Sequence, residues 1–177
     1  SYINNFIKKP SNVQLIDYRN VNTKFDRIIS IEMFEAVGKK NWNLFFKSLR
    51  KILNKNGIAA LQIITIAEKN YCSYSNRKDF IQKYIFPGGM LPTKTILRNL
   101  AMRNGFYFVE ARNFRKDYAK TLKIWKSNFL ENWSNIEKLG FDKKFKRLWE
   151  YYLCYCEVGF LKGEIDVGQY LLKRKEN

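Results

Sequence analysis

Histidine is missing from all 177 residues, so proton transfer and nucleophilic activation fall to carboxylates, phenols, thiols and amines. Ser-His-Asp and Cys-His catalysis are excluded with it, as are most zinc sites. The segment that draws the eye is residues 25–38, Phe25-Asp26-Arg27-Ile28-Ile29-Ser30-Ile31-Glu32-Met33-Phe34-Glu35-Ala36-Val37-Gly38. An apolar run breaks there into two carboxylates that bracket two large apolar side chains. Glu35 is the candidate centre. Burying its charge costs several kcal/mol unless something pairs with it; at a helix N-terminus it would be an ordinary dipole-favoured acid. Gln62, inside an apolar stretch, needs hydrogen-bond partners if it is buried, or else faces outward. Asp17 ends another short apolar run. Cys154 and Cys156 diverge at i and i+2 on a helix, so they read as core or pocket-wall thiols and no metal site is expected. Gly88-Gly89 lacks the spacing of a phosphate-binding loop.

The elements that must position these groups alternate in type. Residues 27–31 read as a buried strand. Trp42, Phe45, Phe46, Leu49, Ile52 and Leu53 recur at helical spacing, with Asn56-Gly57 as C-cap. A strand over 58–66 follows, then a polar loop over 67–77. An aromatic-rich stretch, 80–86, stops at Pro87-Gly88-Gly89, whose glycines permit positive φ. Thr93 caps a helix to about residue 104, and 106–114 is a strand. Two long amphipathic helices, 117–133 and 141–161, precede a final strand over 165–172. At the front, 2–9 reads as the tail of a helix and 13–16 as a short strand. Strand–helix–strand order implies one α/β domain with a parallel sheet and right-handed crossovers. Asp17, Glu35 and Gln62 would then line one edge of that sheet, which is the cleft position.

Composition narrows the partners. The net charge of +17 favours anionic ones, either nucleic acid or an acidic lipid surface, although a Lys- and Asn-rich source genome would also produce it. The charges are scattered, which suits broad attraction over a reading groove. A hydrophobic fraction of 46% argues against disorder, and no apolar run is long enough to span a bilayer. Three cysteines without disulfide-type spacing suit a reducing cytoplasm, and no leader peptide is apparent.

Four stretches carry a resemblance in register. They are residues 25–38 above, Leu61-Gln62-Ile63-Ile64-Thr65-Ile66, residues 80–92 with Phe86-Pro87-Gly88-Gly89, and residues 155–169 with Tyr155-Cys156-Glu157-Val158-Gly159-Phe160. Together they resemble the cyclopropane-fatty-acyl-phospholipid synthase family, which includes the mycolic acid cyclopropane synthases, from about residue 10 to residue 174. The resemblance implies a class I S-adenosylmethionine-dependent methyltransferase fold, Rossmann-like, with inserted helices. It implies methyl transfer to the cis double bond of a phospholipid acyl chain, then loss of a proton and ring closure. Such a site must align a poor nucleophile and exclude water. S-adenosyl-L-methionine and a bicarbonate base are the implied cofactors. Carried over by position, Glu35 would hold the bicarbonate with Tyr118 and Gln62, the last standing where some members have histidine. Asp17 and Tyr18 would meet the adenine of the cofactor; Phe34, Phe86 and Cys156 would line the substrate pocket. The implied partners are unsaturated phospholipid chains and an anionic membrane surface, approached peripherally from the cytoplasmic side of the inner membrane, with no nucleic acid.

The family's Gly-rich first strand and its second strand have no counterpart here. The expectation is therefore the C-terminal part of a single methyltransferase domain, a partial fold inactive alone, with unpaired edges beside residues 27–31. Two other readings stay open. One is a sister acyl-chain methyltransferase without ring closure; the other is a non-catalytic basic module that binds membranes or nucleic acid.

Overall fold

The computed structural model describes residues 13–175, and the helix tail expected over 2–9 lies outside them. In chain order the elements are β1 (Phe25–Ile31), α1 (Trp42–Ile52), β2 (Leu53–Ile66), α2 (Glu68–Asn76), α3 (Phe80–Tyr84), α4 (Lys94–Arg103), β3 (Phe106–Asn113), α5 (Arg115–Glu131), α6 (Trp133–Lys138), α7 (Lys143–Lys162) and β4 (Ile165–Arg174). Short 3-10 turns cover Tyr18–Asn20, Phe34–Ala36 and Lys39–Asn41.

Two apolar stripes set the architecture. Trp42, Phe45, Phe46 and Leu49 bury one face of α1 at helical spacing. Leu97 and Ala101 of α4 join them against Ala59, Leu61 and Ile63, alternate residues of β2. The opposite face of the sheet carries a second cluster, Ala119, Leu122, Leu153, Phe160 and Val167, drawn from α5, α7 and β4, with Ile64 packed on it. Helices thus cover both faces of a four-stranded sheet of order β1-β2-β4-β3.

Only β1 and β2 run parallel. β4 lies antiparallel to both β2 and β3, so the expected parallel sheet holds for one strand pair. The helical excursion between β3 and β4 brings the chain back to where it left: Phe114 N–H donates to Val167 O at 2.9 Å. A return beside the exit point forces the opposite strand direction. Gly163 makes that reversal, at φ 72° with its N–H on Phe160 O.

Several expectations change. Residues 13–16 form no strand; Val13, Leu15 and Ile16 are exposed and nothing pairs with them among the described residues. β1 is an edge rather than a buried strand: among the described residues it pairs with β2 alone, and Ile29 is 72% exposed. Asn56-Gly57 is not the C-cap of α1. The cap is Leu53, already extended, and the register jumps from Phe25↔Leu53 to Arg27↔Ile58 around residues 54–57. Residues 67–77, expected as a loop, hold α2. That helix buries none of its residues and is fixed instead by polar contacts: Thr95 N–H donates to Glu68, and Lys69 and Asn70 bond Glu164. The unpaired edge expected at β1 is present among the described residues, and the long helices, the Thr93 cap and the β3 and β4 positions agree with expectation.

Candidate active site

The site gathers at the carboxyl end of β1, beside the matching stretch of β2. β1 ends at Ile31, and Glu32 N–H donates to Gln62 O at 2.8 Å. Glu32 then takes a positive φ of 50°, a conformation non-glycine residues enter at a cost and hold where the surroundings impose it. That kink throws the next residues into the turn Phe34–Ala36, which aims Glu35 back across β2.

Glu35 Oε1 accepts the Ile64 N–H at 2.5 Å. Its Oε2 is buried without a hydrogen-bond partner among the described residues. Burial pushes the carboxyl up to about 7, against the opposing pull of the Ile64 amide and with a smaller push from Glu32. Oε1 is taken by the Ile64 amide, so a proton on this carboxyl belongs on Oε2. The backbone is clamped too, since Met90 N–H donates to Glu35 O at 3.0 Å; this ties the Phe86–Gly89 turn to the site. Gly88 in that turn sits at φ 83°, as its glycines suggested.

Gln62 shares a β2 face with Ile64 and is half-buried. Gln169 of β4 donates to Gln62 Oε1 at 3.1 Å, and Nε2 faces the site. Nε2 donates to Tyr118 Oη at 2.7 Å and to Glu32 Oε1 at 3.0 Å. Tyr118, one turn into α5, donates its phenolic proton to the same Glu32 oxygen. Burial and the Glu32 carboxylate raise the phenol well above its ordinary value. Glu35, Gln62 and Tyr118 therefore do come together, but Glu32 organises the last two. Sequence reasoning passed over Glu32 and Gln169. The signal for Glu32 was the paired carboxylates around Met33-Phe34.

This donor count does not fit the bicarbonate expected from the resemblance. Both amide protons of Gln62 and the one proton of Tyr118 end on groups of the chain itself, which leaves Glu35 Oε2 as the one atom of these three side chains' site-facing groups without a partner among the described residues.

Phe34 moves from pocket to core. It is 0% exposed, packed against Trp42, Phe45 and Phe46, and so offers a substrate no surface. Phe86 is exposed and meets Tyr152 edge-on, while Cys156 is half-buried in the same cluster as Tyr152 and Tyr118. Burial pushes the Cys156 thiol and the Tyr152 phenol each up to about 12, so both remain protonated walls. Asp17 caps the Tyr18–Asn20 turn and pairs with Arg19, whose guanidinium holds its carboxyl down at about 2. Tyr18 and Phe34 both pack on Phe45, so the Asp17–Tyr18 turn adjoins the base of the Glu35 turn. A basic cleft of about 590 Å³, lined by Lys24, Lys47, Arg50, Lys51, Arg103 and Arg174, lies at the other end of the sheet, where β1 and β2 begin, and contains none of these residues.

Residues 4–170 match the family described as mycolic acid cyclopropane synthetase. The chain belongs to that family. Among curated members, the tuberculostearic acid methyltransferase UfaA1 of Mycobacterium tuberculosis is 39% identical over 164 residues, 92% of this chain and 38% of that protein. The cyclopropane-fatty-acyl-phospholipid synthase of Escherichia coli (strain K12) is 37% identical over 92% of this chain and 41% of its own length. The chain thus spans about two-fifths of these relatives. Among solved structures, the mycolic acid cyclopropane synthase CmaA1 complexed with SAH and CTAB superposes with a TM-score of 0.83 at 27% identity, covering 91% of this chain and 59% of that one. The fold of this family member is that of the S-adenosylmethionine-dependent methyltransferases, present in part. No helix among the described residues is long and apolar enough to cross a membrane.

Proposed function

We propose that the protein carrying this chain transfers the methyl group of S-adenosyl-L-methionine to the cis double bond of a phospholipid acyl chain and closes a cyclopropane ring. The observation that carries the reading is the pair of unlike carboxylates at the end of β1. Glu35 is half-buried with its carboxyl raised to about 7, while Glu32 is exposed and accepts two hydrogen bonds. Splitting two acids this way lets one site hold a proton and accept one.

S-adenosyl-L-methionine, when bound, supplies an electrophilic methyl group. Asp17 and Tyr18 are the residues that would hold its adenine. Arg19 makes three hydrogen bonds to the Asp17 carboxylate, leaving roughly one of its four acceptor positions for a ligand amine. Tyr18, half-buried on Phe45, offers a ring edge. The acyl chain would run along Phe86, Tyr152 and Cys156, where aromatic faces favour a developing positive charge and apolar walls keep water away.

The reading extends to a single methyltransferase domain that works peripherally at an anionic membrane on the cytoplasmic side. The +17 charge supports it, as do Trp125, Leu139 and Phe141, which are exposed along the α5–α7 helices. The test is product analysis on the full-length protein with labelled S-adenosyl-L-methionine and vesicles of cis-unsaturated anionic phospholipid. The expected product is an acyl chain heavier by one CH2 with ring protons and no alkene. Label absent from the acyl chain would overturn the reading. Methyl transfer without ring closure is the second reading, favoured by the 39% identity to a relative named as a methyltransferase. A branched product would select it.

A further inference from the structure

We propose that Glu32 is the resident proton acceptor of this site, a carboxylate of the chain itself placed where the Tyr118 and Gln62 donors converge. The inference rests on the acyl-chain reading above and deepens it. Tyr118 and Gln62 are the groups expected to grip an external anion. In the structure the Tyr118 hydroxyl and the Gln62 amide both point at one atom, Glu32 Oε1. Glu32 Oε1 accepts, so the amide nitrogen of Gln62 must face it, and Gln169 donates to Gln62 Oε1 on the other side. The backbone at Glu32 accepts a positive φ to deliver its side chain there. The charged and titratable groups around it are Glu35, Tyr118 and Tyr152, each of which feels its negative charge.

The step balances without any further reagent. After methyl transfer the acyl chain carries a cationic carbon beside the new methyl group. A C–H bond of that methyl breaks, its electron pair forms the third ring bond, and the proton passes to the Glu32 carboxylate. Glu32 is exposed, so it returns the proton to water. Tyr118 and Gln62 hold the accepting oxygen in place.

Glycine fits a positive φ, so Glu32→Gly removes the carboxylate while the backbone keeps its conformation, and it releases the Tyr118 and Gln62 donors. The experiment compares the full-length wild-type protein with Glu32→Gly and Glu32→Gln in carbonate-free buffer and in added bicarbonate. Two measurements are made: acyl product formed, and bicarbonate binding followed by carbon-13 NMR. Wild type is expected to work without bicarbonate, changing less than about two-fold on its addition, and to bind none detectably. Glu32→Gln is expected to lose about 100-fold or more. Glu32→Gly is expected to lose as much, to bind bicarbonate, and to recover activity with it. If wild type needs bicarbonate and binds it as Glu32→Gly does, the inference is overturned while the acyl-chain reading stands. If wild type modifies no acyl chain, that reading falls. The binding contrast then decides alone: equal binding overturns the placement of Glu32, and binding confined to Glu32→Gly upholds it.

Discussion

Glu35 and Ile64 meet through a 2.5 Å hydrogen bond from the Ile64 amide to Oε1, and the same carboxyl keeps Oε2 buried without a partner among the described residues. One oxygen is satisfied by a strand backbone, and the other is left to carry the proton.

That arrangement fixes a pH dependence of stability. The folded carboxyl titrates at about 7, against an ordinary value of 4.5. Between those values the folded state holds a proton that the unfolded state has lost, so stability falls as pH rises from about 4.5 to 7 and is level beyond. The full effect is roughly 3 kcal/mol. Glu35→Gln keeps an acceptor for Ile64 and removes the titration. Urea midpoints should therefore show the variant gaining on wild type at pH 8 and not at pH 4, while activity is lost.

Tyr118→Phe deletes a hydrogen bond to a charged oxygen and leaves the ring in place against Phe160. Bonds of that kind are worth about 1.5–3 kcal/mol, so kcat should drop roughly ten- to hundred-fold. The KM for the methyl donor should not move. A shift confined to KM would mean the phenol only binds.

Phe34→Ala separates a core role from a pocket role. A fully buried phenylalanine in contact with Trp42, Phe45 and Phe46 should cost about 3–5 kcal/mol on truncation. Chemical denaturation would read the loss directly. A stable variant with altered chain-length preference would return Phe34 to the substrate.

Lys94 sits between Glu110 at 2.6 Å and Asp166 at 3.1 Å, joining α4 to β3 and β4. Lys94→Met would leave two carboxylates facing each other. The expected loss is roughly 1–2 kcal/mol, modest because the lysine is about a third exposed. The deficit should shrink in high salt, and adding Asp166→Asn should restore part of it.

The sequence by itself determined the elements whose signals are local. The stripe Trp42, Phe45, Phe46 and Leu49, the Thr93 cap and the long helices before β4 follow from spacing over a few residues. Glu35 also stood out, because two acids bracketing Met33-Phe34 just past an apolar strand are anomalous in one dimension. Only the tertiary structure could decide the rest. α2 has a weak apolar pattern and is held by Thr95 and Glu164, far from it in sequence. Residues 13–16 look strand-like, yet a strand needs a neighbour and none lies beside them among the described residues. The direction of β4 depended on where the α5–α7 excursion returned the chain. Above all, Glu32 and Tyr118 are 86 positions apart, and Gln62 and Gln169 are 107 apart. Periodicity and capping act within a turn or two. Which polar groups share a proton is set by strand register and by burial, and those exist only once the sheet has formed.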